Sequence, residues 1–164
     1  MMAAIVCRSF RTENAVNVPR DLLLRQIASC EKRAFSSKEA MDFGLECRKR
    51  NVEVVVIIDE ESEPMRIHVV AYLVTATAKA GRHVSLNKIC VDPSHRSMGL
   101  GTRLLKELIE MLSRRGKSQV RLWVDGHNHV ALKLYTKVGF QRVSEVANYY
   151  GPGREGVSMV LYIQ

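Results

Sequence analysis

The chain has 164 residues, 46% hydrophobic and 26% charged, a balance that suits one domain spanning residues 1–164 and excludes extended disorder. Lys and Arg number 25 against 17 Asp and Glu, a formal net charge of +8. That excess favours an anionic partner: nucleic acid, an anionic membrane, or a phosphate-bearing cofactor. No apolar run approaches the ~18 residues a membrane span needs, and the N-terminal residues lack the charged start and apolar core of a secretion signal.

In chain order, residues 3–10 read as a short first strand. Asp21 reads as the cap of a helix, DLLLRQIASCEKRAF, in which Leu23, Ile27, Cys30 and Ala34 recur at helical spacing. SSKEAMDFGLECRKR opens with candidate serine caps and reads as a second helix. VEVVVII, residues 52–58, is too rich in β-branched residues to be anything but a strand. The acidic DEESEP reads as its turn, RIHVVAYLVTATA as a returning strand, KAGRH as another turn, and residues 84–91, VSLNKICV, as a fourth strand.

From Gly99 to Arg115, residues Leu100, Leu104, Leu105, Leu108, Ile109 and Leu112 keep one helical face, with Gly116 as a left-handed stop. QVRLWV is then a strand, and Asn128 caps a helix that runs through Val138 to Gly139. FQRVSEVANYY and GVSMVLYI read as two closing strands joined by GPGREG. The order β-α-α-β-β-β-α-β-α-β-β is a mixed α/β sheet with helices packed on it.

The segment VDPSHRSMGLGTRLL places Arg96, Gly99 and Gly101 where a helix begins. Glycine costs about 1 kcal/mol against alanine inside a helix, so its presence there needs a reason. Amides in a first helical turn have no internal acceptor, and the helix dipole leaves them partly positive. Glycines let a diphosphate approach that backbone, and Arg96 adds a cation at the mouth.

Four cysteines, Cys7, Cys30, Cys47 and Cys90, form no CxxC pair, and the last three sit in apolar patterns as expected buried free thiols. They and the histidines do not fall at metal-ligand spacing, so no metal is expected. A reducing, cytoplasmic compartment follows as the expectation. No aromatic–basic interleaving or helix-turn-helix spacing supports nucleic acid.

VDPSHRSMGLGTRLL resembles the coenzyme A signature of the GNAT acetyltransferase superfamily, a strand ending in V-x-P followed by R-x-x-G-x-G/A and a helix. NHVALKLYTKVGF resembles its next block, N-x-x-A-x-x-L-Y-x-K-x-G-F, and the two stand in the family's order within residues 85–140. The chain looks most like the protein N-terminal acetyltransferase branch: CEKRAFSS resembles that branch's E-x-x-F, and NYYGPGREGVSMVLYI its closing segment. The resemblance implies a GNAT fold, a mixed, mostly antiparallel sheet of about six or seven strands, splayed between the fourth and fifth and flanked by about four helices.

The same resemblance implies the roles. The pantetheine arm of acetyl-CoA would pair with the backbone of Ile89, Cys90 and Val91. Its diphosphate would sit on the amides of Arg96, Ser97, Met98, Gly99, Leu100, Gly101 and Thr102. Asn128, which caps its own helix, would also reach the pantetheine arm, and Ala131 and Lys137 belong to the same cofactor-binding block. Tyr135 would protonate the departing thiolate. Glu31 and Phe35 in the first helix, with Asn87, Trp123, Tyr149 and Tyr150, would line the acceptor; strand alternation turns one tyrosine of the pair inward and the other toward the acceptor groove. Arg154 and Glu155 stand at the turn's tip.

The chain departs from its relatives at the base. Asn87 and Trp123 occupy positions where many members carry a carboxylate or histidine, and neither can accept a proton near neutral pH. A water chain to His83, His127 or Glu31 is one solution. A second is an acceptor amine that is already partly neutral, as an α-amine near pKa ~8 is.

The expected activity is transfer of acetyl from acetyl-CoA to a primary amine within a ternary complex, with a protein or peptide N-terminus as acceptor. The alternatives are a polyamine-like small molecule as acceptor, or a non-catalytic acyl-CoA-binding module. Oligomeric state and any auxiliary subunit are not written in the sequence.

Overall fold

The computed structural model describes residues 5–9, 19–37, 39–60, 67–78 and 81–164. Its elements are β1 (Ile5–Ser9), α1 (Arg20–Ala34), α2 (Phe43–Glu46), β2 (Val52–Glu60), β3 (Ile67–Thr77), β4 (His83–Val91), a 3₁₀ turn (Pro93–His95), α3 (Leu100–Arg114), β5 (Gln119–Asp125), α4 (His129–Val138), β6 (Gln141–Val146) and β7 (Gly156–Tyr162). Seven strands follow the order β1-β2-β3-β4-β5-β7-β6 in an open sheet. β1 pairs antiparallel with β2, as β7 does with both β5 and β6, whereas β4 runs parallel to β5. The parallel ladder covers His83↔Gln119 to Ser85↔Arg121 and stops there, although both strands continue. That early stop is the splay expected between the fourth and fifth strands.

The helices with strong periodicity stand where their patterns put them. In α3, Leu100, Leu104, Leu105, Leu108 and Leu112 are all buried, on one stripe of the cylinder. In α4 the Asn128 side chain accepts from the Ala131 amide at 3.1 Å, and Gly139 ends the helix in the left-handed conformation.

Weaker signals fail at three places. Pro19, not Asp21, holds the cap position of α1, and Asp21 falls inside its first turn, where a carboxylate still suits the helix dipole. The second helix shrinks to Phe43–Glu46 and is capped by Asp42, whose side chain accepts from the Leu45 amide at 3.1 Å. The candidate serine cap Ser36 instead bonds Glu39 through its hydroxyl. The third failure is at Tyr149 and Tyr150, which lie in the turn after β6 rather than on a strand, so alternation does not govern them. DEESEP reads mostly outside the described residues, as does Lys79–Ala80 of KAGRH.

The residues cluster in two compact units. The first joins the residues up to Thr75 to Lys88–Leu104. Its core holds Ile27, Cys30, Val54, Ile57, Ile58, Tyr72 and Leu104, and the Phe43 ring meets Tyr72 edge-on at 5.3 Å. The second joins Ala76–Asn87 to Leu105–Gln164. There β5 alternates, with Val120, Leu122 and Val124 buried and Arg121 and Trp123 exposed.

Candidate active site

In the first unit, the 3₁₀ turn after β4 leads into an open loop. Arg96 is exposed, and its Nε lies 3.5 Å from the carbonyl of Val91. Ser97 and Gly99 both take left-handed backbone, with φ of 64° and 76°. A left-handed serine is costly and marks a loop whose shape is imposed by its surroundings. A Cβ on Gly99 would meet nothing within 4 Å, so it is backbone conformation and not crowding that favours glycine there.

The first helical bond of α3 runs from the Arg103 amide to the Gly99 carbonyl at 3.0 Å. Ahead of it the amides of residues 97–102 have no backbone acceptor among the described residues. Successive free amides at a helix start, in alternating hand, make an anion-binding concavity. The donor set therefore fits a diphosphate. Met98 beside it is exposed, Leu100 and Gly101 are buried, and Thr102 is half-buried. Upstream on β4, Ile89 and Val91 are half-buried, and the Cys90 side chain is buried with its Sγ 3.8 Å from that of Cys30.

Glu31 is 2% exposed. Its Oε1 pairs with Lys88 and accepts from the Met41 amide at 2.8 Å, while Oε2 is buried without a hydrogen-bond partner among the described residues. Lys88 Nζ also donates to the Glu39 carbonyl at 2.6 Å and stands 4.0 Å over the Phe35 ring. Glu31 and Phe35 are thus brought together, but around a lysine. The Glu31 carboxylate is engaged by Lys88 and the Met41 amide, which leaves Oε1 occupied.

In the second unit, Tyr135 on α4 is 6% exposed, its ring tilted against Phe140 at 5.5 Å. Burial, with Tyr150 adding to it, pushes its phenol well above the ordinary range, so it stays protonated throughout the working pH range. Tyr150 is pushed up to about 12, chiefly by burial. Trp123 stacks on Tyr149 with centroids 4.4 Å apart and rings 9° from parallel, and Tyr149 meets Tyr150 edge-on at 5.0 Å. All three rings keep exposed surface: 39% for Trp123, 48% for Tyr149 and 38% for Tyr150. The structure thus gathers Trp123, Tyr149 and Tyr150 into one cluster, while the Tyr135 ring packs on Phe140.

The turn bearing the tyrosines is built firmly. Asn148 is left-handed and its Oδ1 accepts from the Gly153 amide at 2.7 Å. Arg154, at the tip, reaches back to Asp125 Oδ2 through Nε at 2.7 Å and through its second nitrogen at 2.6 Å. Asp125 Oδ1 accepts from the His127 amide at 2.9 Å. That amide first, then Arg154, holds the Asp125 carboxyl below its usual range. Glu155 stands over Gly126, where an added Cβ would come within 2.4 Å of its carboxylate.

The remaining candidates are scattered. Asn87 is exposed, and Lys137 is exposed in the last turn of α4. His127 is exposed beside Asp125, its Nδ1 at 3.3 Å. His83 pairs with Gln119, which the register places about 20 Å along β5 from Asp125. Sequence reasoning gave no role to Lys88, Asp125 or Arg33. The signals were slight: a lysine next to Asn87 on a strand, and an aspartate three residues before a helix cap.

The model of the acetyltransferase (GNAT) family matches residues 22–140. The chain belongs to the GNAT acetyltransferase family. It is an N-acetyltransferase, and acetyl-CoA is its acetyl donor. As a GNAT enzyme it is similar to the thialysine N-epsilon-acetyltransferase of Bos taurus, 30% identical over 96% of each chain. It is also similar to the [ribosomal protein bS18]-alanine N-acetyltransferase of Haemophilus ducreyi, 37% identical over 48% of this chain and 57% of that one. Among solved structures, an aminoglycoside 6'-N-acetyltransferase complexed with coenzyme A shares the fold, with a TM-score of 0.73 at 17% identity over 97% of both chains.

Proposed function

We propose that this GNAT enzyme acetylates the α-amine of a protein or peptide N-terminus. The observation that carries the proposal is the exposed ring cluster that Trp123 on β5 forms with Tyr149 and Tyr150 on a firmly built turn. Such a wall suits an extended backbone and uncharged side chains. A polyamine asks for carboxylates. Asp125 is engaged by Arg154 and His127, Glu31 is engaged by Lys88, and the chain as a whole carries +8. The relative from Haemophilus ducreyi, named for a ribosomal protein alanine, supports the same choice.

Acetyl-CoA supplies an acetyl group activated as a thioester. The amides of residues 97–102, with Arg96, hold its diphosphate. The β4 backbone at Ile89, Cys90 and Val91 would align its arm and offer amides to the thioester carbonyl. Tyr135, kept protonated by burial, is the proton donor that would neutralise a departing thiolate, regaining a proton from water. The acceptor nitrogen attacks as the free amine and sheds its extra proton to solvent. An α-amine near pKa ~8 meets that need far more often than a lysine near ~10.4.

A second acceptor class is favoured by one observation. The thialysine acetyltransferase relative matches across nearly the whole chain, which supports a side-chain amine on an amino-acid-sized substrate. Thiol release measured against free N-terminal peptides, N-blocked lysine peptides, thialysine and spermidine separates them. Release with free N-termini alone is expected. Release with thialysine or spermidine and with no peptide overturns the N-terminal assignment.

A further inference from the structure

Asp92 directly follows β4 and is 4% exposed. Its Oδ2 accepts from Arg33 Nε at 2.6 Å and from a second Arg33 nitrogen at 2.5 Å. Its Oδ1 accepts from the Ser94 amide at 3.0 Å and the Ser94 hydroxyl at 2.6 Å, with His95 Nδ1 3.7 Å away. The Asp92 amide donates to the Val70 carbonyl of β3 at 2.8 Å. One carboxylate thus ties α1 to the 3₁₀ turn Pro93–His95, while its backbone is pinned to β3. Arg33 is itself steadied from within α1, since it also donates to the Ser29 hydroxyl at 2.7 Å.

That turn delivers the chain to the loop of free amides. Two left-handed residues, Ser97 and Gly99, give the loop a shape an untethered chain would rarely keep. The far end of the loop is anchored by Leu100 and Leu104, buried in the core. Upstream the last buried apolar side chain is Cys90 at the end of β4, and between Asp92 and the loop Pro93, Ser94, Arg96 and Ser97 are all exposed. Across that exposed stretch the side-chain tie is the Asp92 carboxylate, bonded to Arg33 and Ser94.

We propose that Asp92 is a positioning residue for the acetyl donor: together with Arg33 it fixes the origin of the 96–102 loop, so that the loop's amides are aligned before the diphosphate arrives. The proposal rests on the reading of that loop as a diphosphate cradle. Ordering completed in the free protein need not be paid for on binding, so the pair acts on donor affinity more than on turnover. It also acts only on donors that carry the diphosphate. Acetyl-pantetheine, which has the same thioester and arm but no diphosphate, gains nothing from an aligned cradle.

The test compares kcat/KM for acetyl-CoA with that for acetyl-pantetheine, on whichever amine the enzyme turns over, in the wild type and in Asp92→Asn, Arg33→Met and Arg33→Lys. Arg33 is half exposed, which makes the substitutions at 33 a safeguard should Asp92→Asn fail to fold. The wild type is expected to prefer acetyl-CoA. In Asp92→Asn and Arg33→Met that preference should fall about tenfold or more, through KM rather than kcat, and Arg33→Lys should recover part of it. An unchanged preference in the variants overturns the proposal, as does an equal loss on both donors, which would mark the pair as merely structural. Absence of any preference in the wild type removes the cradle itself, and the proposal with it.

Discussion

A phenol that burial keeps protonated is a donor and not a base, and this sets what Tyr135 can do. Tyr135→Phe keeps the ring against Phe140 and removes only the hydroxyl. Turnover should drop by about 10²-fold, with coenzyme A affinity by calorimetry changed little; unaltered kcat would take Tyr135 out of the reaction. Asp92 makes the complementary case. Burial pushes its carboxyl up, but the Ser94 hydroxyl, Arg33 and the Ser94 amide outweigh burial and hold it at about 2. The value in the unfolded chain is near ~3.9. The stabilisation is therefore full above that ordinary value and is lost as pH falls toward 2. Urea unfolding between about pH 6 and pH 2 should show wild type converging on Asp92→Asn as the acid range is entered; a constant gap would contradict the assignment.

At the scale of elements, the turn between β6 and β7 works as an arm that presents two tyrosines. Its placement depends on Gly156 at the start of β7, because a Cβ there would come within 2.6 Å of the Tyr149 ring. Gly156→Ala should push Tyr149 off Trp123, forfeiting a stacking contact of about 0.5–1.5 kcal/mol. The expected kinetic result is a raised KM for the acceptor with the KM for acetyl-CoA unchanged. A raised donor KM instead would place the arm on the other substrate. Periodicity showed the flanking strands but assigned the tyrosines to one of them. Asn148 takes a left-handed conformation and its side chain accepts from the Gly153 amide, so the chain leaves the sheet four residues earlier than hydrophobic alternation suggests. The serine-led second helix failed for a related reason: its apolar content sustains one turn, and Asp42 supplies the better cap.

For the molecule as a whole, the excess of 25 basic over 17 acidic residues suits a donor carrying several phosphate charges. Binding the folded state alone raises apparent stability by mass action, about 2.7 kcal/mol at a hundredfold excess over Kd. For a chain of this size that corresponds to a rise in Tm of roughly 5–10 °C. Coenzyme A and acetyl-CoA should both give it, and pantetheine much less. Equal shifts from pantetheine would mean that the diphosphate contributes nothing.

Much of this protein was legible in its sequence because helix periodicity, strand alternation, capping and glycine conformation act over a few neighbouring residues. α3 and its open start, α4 with Asn128 and Gly139, and the order of strands are all of that kind. Only tertiary structure decided which side chains meet. Arg33 finds Asp92 across 59 residues and Lys88 finds Glu31 across 57. Trp123 meets Tyr149 only because β7 lies between β5 and β6. Such pairings depend on strand register and on where loops close, and no local pattern of residues carries that information.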